Sequence, residues 1–206
     1  MTCTEYKFSI SEMSRTQGMR MIAASLVLIV LAFLTSVAVH FRDDLADLAI
    51  KWAMRREPDL IIGSPRDPYM HRHFVIPKNR LFNIYLHRIM RDDDDRALHD
   101  HPWWSIGMII RNHYFDIVPR IKTLFRKYGS GDLMAVRRDE WSITFRRAID
   151  MHRIVLPGPG KQEAWTLFMT GPEVRDWGFW CPAGWRSSRV FGEKLDRASV
   201  VGRGCS

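Results

Sequence analysis

Cysteine is scarce in this chain of 206 residues: Cys3, Cys181 and Cys205 are three, widely spaced and odd in number. They make neither a disulfide framework nor a zinc motif, and they fit a reducing compartment. There is no glycine-rich phosphate loop, no internal repeat and no alternation of strand and helix. That excludes a nucleotide-binding parallel fold and a solenoid. A basic block is missing too. Lys and Arg outnumber Asp and Glu by 31 to 23, for a net charge of +8, but they are scattered in pairs such as Arg55-Arg56, Arg137-Arg138 and Arg146-Arg147. With no stacking aromatics between them, nucleic acid is not an expected partner.

What is present is apolar and aromatic. An apolar fraction of 46%, with eight Trp and eleven Phe, is enough for a sizeable core. The length suits one domain with an appendage.

The appendage lies at the N-terminus. Residues 1–20 are polar and read as a loose tail. Met21 to Val39 then runs for nineteen residues without a charge, about what a bilayer core of ~30 Å requires at 1.5 Å per residue. Three readings fit: an uncleaved single-pass anchor, a signal peptide cut after Ser36-Val37-Ala38, or a true start downstream at Met54. The stretch is long for a signal peptide, so the expectation is a membrane protein, of the bacterial inner membrane. Lys7, Arg15 and Arg20 precede the run, and Arg42, Lys51, Arg55 and Arg56 follow it, so the charges leave the side of the domain open. Residues 40–57 carry Leu45, Leu48, Ala49 and Trp52 at helical spacing behind Asp43 and Asp44, which predicts an amphipathic linker helix ended by Pro58.

From Asp59 the texture is that of strands. Turn signals recur at Gly63-Ser64-Pro65, Pro77-Lys78-Asn79, Asn112-His113, Gly129-Ser130-Gly131, Pro157 to Gly160, Gly171-Pro172 and Pro182-Ala183-Gly184. Between them lie runs rich in β-branched and aromatic residues: 73–76, 81–90, 105–111, 114–118, 142–146, 152–156, 165–170 and 177–180. The spacing predicts an all-β antiparallel sandwich or barrel over 58–195, with 196–206 as a tail.

The chemistry centres on Leu98-His99-Asp100-His101-Pro102-Trp103-Trp104 and on Asp150-Met151-His152-Arg153-Ile154. On a strand, residues i and i+2 share a face, so His99 and His101 can converge on one ion, with His152 as a third ligand. Asp100 points the other way and is better suited to orienting them. Tyr85 and His87 share a face of the preceding strand and are placed to line the pocket. His71 and His73 read as ordinary strand residues. The run from Asp92 to Asp95 lacks the alternate spacing and glycine of a calcium loop, and reads as a solvated loop or a partner for Arg91 and Arg96.

HDHPWWSIGMII, followed much later by DMHRIVL, resembles the two metal motifs of the cupins. Residues 57–191 also resemble uncharacterised cupin-like proteins of phages and bacteria. The resemblance implies a jelly-roll β-barrel holding one divalent metal. The usual carboxylate ligand has no counterpart, since Ser105 and Ile106 occupy its place, and Arg147 and Ile149 replace the Pro-x-Gly before the third His. A three-His set remains, and it is similar to that of the thiol dioxygenases. That likeness implies Fe(II), with Zn, Ni or Mn as the alternatives; imidazole donors suit Zn, Fe, Cu and Ni. It maps the substrate-carboxylate Arg onto Arg72, ten residues before Phe82. The Ser, His and Tyr of those enzymes fall on Thr166, Phe168 and Thr170, and their Cys falls near Ile106. Expected ligand-binding residues are therefore Arg72, Tyr85, His87 and Thr170. The expected function is a metal-dependent oxygenase acting on a small carboxylate or thiol, or else a non-catalytic module that binds a ligand or protein at the membrane. Cupins often pair through their sheets, so a homodimer is the oligomer implied. A plugged interior at Trp103, Phe168 or Trp165 favours the module.

The anchor reading has a direct test. The full chain should remain in the membrane fraction through a high-salt wash, while a chain starting at Pro58 should be soluble. Recovery of the full chain in the soluble fraction would overturn it.

Overall fold

The computed structural model describes residues 3–93, 97–120, 133–158, 162–181 and 183–191. The chain divides into two compact units, Met1–Asp47 and Leu48–Ser206. In the first, helix α1 (Cys3–His40) runs unbroken through the polar residues as well as the apolar run. The loose tail expected there is therefore helical from Cys3 onward. The segment holds no proline, and extending an existing helix costs far less than nucleating one. Gln17–Val37 is long and apolar enough to cross a membrane, and none of it is buried. Within it, Thr35 Oγ1 donates to the Leu31 carbonyl at 2.7 Å, which satisfies the hydroxyl inside an apolar stretch. The chain turns at Phe41, and α2 (Arg42–Met54) begins with Asp43 and Asp44 in its first turn, as the linker reading expects.

The second unit is built of antiparallel strands: β1 (Leu60–Ser64), β2 (Asp67–Phe74), β3 (Asn83–Ile89), β4 (Leu98–His99), β5 (Ser105–Arg111), β6 (Tyr114–Pro119), β7 (Leu133–Arg138), β8 (Ile143–Arg146), β9 (Arg153–Val155), β10 (Ala164–Thr170), β11 (Gly178–Cys181) and β12 (Gly184–Ser187), closed by a short α3 (Ser188–Phe191). They form one six-stranded sheet, β1-β2-β3-β10-β5-β8, and two three-stranded ones, β12-β11-β4 and β7-β6-β9. Antiparallel sheets in which β10 crosses between β3 and β5 make the jelly-roll type of architecture expected. Strands β1, β7 and β12 were not anticipated, and β2 covers 67–74 where a strand was expected at 73–76. The Gly63-Ser64-Pro65 signal does mark a turn, but it joins two strands. Register slips between Ile62 and Gly63, where Gly63 takes φ of 103°, a value glycine adopts without strain.

The large sheet has two unlike faces. One carries Met70, Ile89 and Ala164 at one end, then Arg72, His87 and Thr166, then Tyr85 and Phe168, then Asn83, Thr170, Ser105 and Arg146, each group aligned across neighbouring strands. Its apolar end packs with Tyr69, Ile109, Tyr114, Ile154 and Leu156 into the main core. Its polar end is buried as well, at Tyr85, His87, Ser105, Arg146 and Thr170. On the other face, Trp52 of α2 meets His73 edge-on, with ring centres 6.3 Å apart, and the Met54 sulfur accepts from Arg88. His73 is thus a strand residue, as the sequence reading has it, and a buried one.

Cys181 departs from the reduced state expected of it: it is disulfide-bonded. It lies buried beside Ala97 and Phe179. Cys3 and Cys205, the only other cysteines, have side chains outside the described residues, as do the C-terminal tail and the 129–131 turn.

Ile89 is 1% exposed at the centre of the core. Ile89→Ala should destabilise the fold by about 2–5 kcal/mol in chemical denaturation. A loss below about 0.5 kcal/mol, usual for a surface change, would move the core elsewhere.

Candidate metal centre

The site is assembled by main chain first. His99 ends β4, which is only two residues long, yet its backbone makes a reciprocal bridge with His152: each amide donates to the other's carbonyl at 2.9 Å. The His101 amide donates to the Ala148 carbonyl at 3.1 Å, fastening the second imidazole to the segment that leads to the third. Arg175 locks the same junction from a loop. Its Nη1 reaches the Asp100 carboxylate at 2.9 Å and the Ala148 carbonyl at 3.1 Å.

Asp100 turns away from the imidazoles, as expected. It is 1% exposed and accepts from the Gly178 amide at 2.7 Å and the Trp185 indole at 2.9 Å. Gly178 permits this close approach, because a Cβ there would run into the Arg186 carbonyl.

One donor atom from each of His99, His101 and His152 lies within 4.8 Å of the other two. His101 Nε2 and His152 Nε2 are 2.9 Å apart. The two nitrogens are close enough to share one ion or one proton. Two carboxylates stand behind the ligands. His152 Nδ1 donates to Asp116 Oδ1 at 2.9 Å, and His99 Nδ1 lies 3.0 Å from Asp93 Oδ2. Each carboxylate favours the tautomer that turns the Nε2 lone pair toward the centre.

Burial keeps two of the imidazoles neutral, as ligation requires. Burial pushes His101 well below its usual range, and the neighbouring His99 and His152 add to it. Burial, then Arg146, lowers His152 to about 4. Asp116 is fully buried on β6. Burial alone would raise its carboxyl, but His152 and Arg146 outweigh that and hold it well below the carboxylate range. Arg146 pairs directly with Asp116 Oδ2, and Arg138 reaches the same oxygen at 3.3 Å.

Sequence reasoning missed Asp116, Asp93, Arg146 and Arg175. Asp116 had a signal: an inward carboxylate in the middle of the apolar strand Tyr114–Pro119. The acidic run needs correcting at its start. Asp93 faces His99, and Asp92 Oδ1 accepts from the Leu156 amide at 2.8 Å, so these two brace β9 and the site rather than solvate a loop. Asp94, Asp95 and Arg96 lie outside the described residues.

The expected ligand-binding residues also gather on one face. Arg72 Nε donates to His87 Nε2 at 2.9 Å, and its guanidinium lies 4.6 Å from the centre of the Tyr85 ring. His87 stacks near Tyr85. Burial, then Arg72, holds His87 well below its usual range, so it accepts as a neutral imidazole. Thr170 is 1% exposed and lies directly across from Ser105, and the Ser105 hydroxyl is buried with no partner among the described residues. Arg72 also helps to lower His101, so the cation is within electrostatic range of the imidazoles. Trp103 stacks on His101 with ring centres 6.1 Å apart, and Phe168 lies 5.0 Å from His87. Trp165 does not plug the interior. It stacks with His73 on the opposite face of the sheet.

No protein-family model matches the chain, and no curated protein does. Some solved structures are similar to it. An uncharacterized conserved protein with a double-stranded beta-helix domain, from Klebsiella pneumoniae, is 13% identical at a TM-score of 0.40, over 57% of this chain and 89% of that one. An RmlC-like cupin from Shewanella frigidimarina is 9% identical at a TM-score of 0.38, over 53% and 81%. A DMSP lyase from Ruegeria pomeroyi is 10% identical at a TM-score of 0.37, over 52% and 49%, so this chain spans about half of the lyase. These are cupin and double-stranded β-helix proteins, the group the two histidine motifs resemble. None of the three is a phage protein or a thiol dioxygenase. At such identities and scores the likeness carries no argument about chemistry, and the architecture stands on the strand pairings themselves.

Asp116→Ala would leave Arg146 and His152 facing each other without their anion. Breaking a buried pair from one side costs about 3–5 kcal/mol, and that loss should appear in chemical denaturation. A loss under about 1 kcal/mol, usual for an exposed pair, would show that Asp116 is not the tie.

Proposed function

We propose that this chain is a membrane-anchored protein whose barrel binds one divalent metal through His99, His101 and His152. The observation that carries the reading is the convergence of three buried or half-buried imidazoles, two of them backed by carboxylates. Three neutral nitrogens leave the charge of the ion uncancelled and leave two or three coordination positions open. Imidazole donors suit Fe(II), Zn and Ni better than Mn, and Fe(II) is the ion the three-His likeness favours. A bound divalent ion supplies Lewis acidity to an oxygen or sulfur ligand.

The residues around it define what such a ligand would be. Arg72 uses its Nε on a neutral imidazole rather than on a carboxylate. A half-buried guanidinium whose Nε partner is a neutral imidazole favours an anion. Tyr85, His87 and Thr170 lie on the same buried face and would orient it, and Trp103 and Phe168 would exclude water. The ligand class is a small carboxylate or thiol, and the reaction class is a metal-dependent oxygenation. A second reading is a non-catalytic module that holds such a ligand at the membrane. The stacking of Trp103 on His101 favours it, because it narrows one approach to the imidazoles.

The experiment is elemental analysis of the full chain, purified anaerobically in detergent without a polyhistidine tag, beside His152→Ala. About one equivalent of metal in the first and a large loss in the second is the expected result. Equal metal in both would show that the ligand assignment is wrong. No metal in either, after reconstitution with Fe(II) or Zn, would remove the metal centre. With metal confirmed, oxygen uptake in a screen of thiols and small carboxylic acids separates oxygenase from binding module.

A further inference from the structure

We propose that the β2–β3 loop is a second membrane-docking surface, one that binds an anionic bilayer. The proposal rests on the reading of Gln17–Val37 as a bilayer span. The loop reads Val75-Ile76-Pro77-Lys78-Asn79-Arg80-Leu81-Phe82, with two cations and no acid. Leu81 is 75% exposed, Phe82 45% and Val75 46%. Single exposed apolar residues are ordinary on a protein surface. These differ because the loop is built to hold them out.

Asn79 is the brace. Its side-chain oxygen accepts from the Leu81 amide at 2.9 Å and the Phe82 amide at 3.1 Å. Its own amide donates to Asn83 Oδ1 at 2.9 Å, and Asn83 Nδ2 returns to the Asn79 carbonyl at 3.0 Å. Asn83 is itself buried at the start of β3. Four hydrogen bonds thus fix the backbone that presents Leu81 and Phe82, and Lys78 and Arg80 are exposed on the same short segment. A loop whose apolar tip can fold back would need no such brace.

The surface continues past the loop. Phe82 shares a face of the chain with Ile84. Ile84 lies opposite Met169, Met169 opposite Ile106, and Ile106 opposite Phe145, which is 59% exposed. This is an uncharged apolar row across four strands, on the sheet face opposite the imidazoles. Apolar side chains that enter the headgroup boundary beside cations that meet anionic lipid are the two components of interfacial binding. A second copy of this chain is a poorer occupant, because the same loop meeting itself would set Lys78 and Arg80 against like charges.

The test uses the full chain in lipid nanodiscs, with Leu81→benzoylphenylalanine as a photo-crosslinker and Gln162→benzoylphenylalanine as a control. Gln162 is exposed and precedes β10, at the end of the sheet away from the loop. Discs of phosphatidylcholine alone are compared with discs of equal parts phosphatidylcholine and phosphatidylglycerol. Mass spectrometry should find lipid adducts at position 81 and none at 162. The yield should be about tenfold higher in the anionic discs, and Lys78→Gln with Arg80→Gln should remove that gain. Crosslinked dimers instead of lipid adducts would make the surface a contact between copies and overturn the proposal. Failure to find adducts in chains that do enter the discs would overturn it while leaving the anchor intact. Failure of the chain to enter the discs at all would take both readings down.

Discussion

A single carboxylate on β6 carries the interior of the barrel. Asp116 is wholly withdrawn from water, where an unpaired charge costs several kcal/mol. It persists because three partners converge on it: His152 ahead of β9, Arg138 on β7 and Arg146 on β8. Two of those come from its own sheet. The third comes from the edge of the six-stranded sheet, so the contact with Arg146 ties the two sheets together across the interior. The same carboxylate faces one ring nitrogen of His152 and thereby turns the other toward His101. The contacts that join the sheets and the contact that orients His152 are one network.

That network explains why the interior is graded. Where Met70, Ile89 and Ala164 meet Ile154 and Leu156, burial of apolar area holds the sheets. Where His87, Tyr85, Thr170 and Ser105 share the inner face with half-buried Arg72, the covered surface is polar. It is stable there only through paired groups, such as Arg72 with His87. Burial first, and nearby Arg146 after it, keep His101 and His152 neutral. The end of the barrel that could hold a ligand is therefore the end that hydrophobic packing does not fill.

How much of this was legible in the sequence depended on range. The apolar run, the start of α2 and most strands were readable because periodicity and turn residues are local signals. The H-x-H pair and His152 were readable as a spacing, although the strand imagined under His99 and His101 shrinks to two residues and the backbone bridge takes over its role. Asp93 was hidden because a run of four acids looks like solvent-exposed charge, and only the fold brings one of them to His99. Arg175 was hidden because its partners are two carbonyls and a carboxylate far away in sequence. β7 lacks alternation: Leu133-Met134-Ala135-Val136 gives way to Arg137-Arg138, and pairing with β6 makes it a strand. The oxidised state of Cys181 could not be read from three widely spaced cysteines, since nothing local says which of them meet.

The reciprocal bridge between His99 and His152 separates the place of these two rings from their identity. Amide and carbonyl groups make the bridge, and every residue type except proline provides both. An alanine at position 99 would remove an imidazole and keep the bridge, whereas a proline there would also remove the amide that donates to the His152 carbonyl. The ring and the junction can thus be lost one at a time.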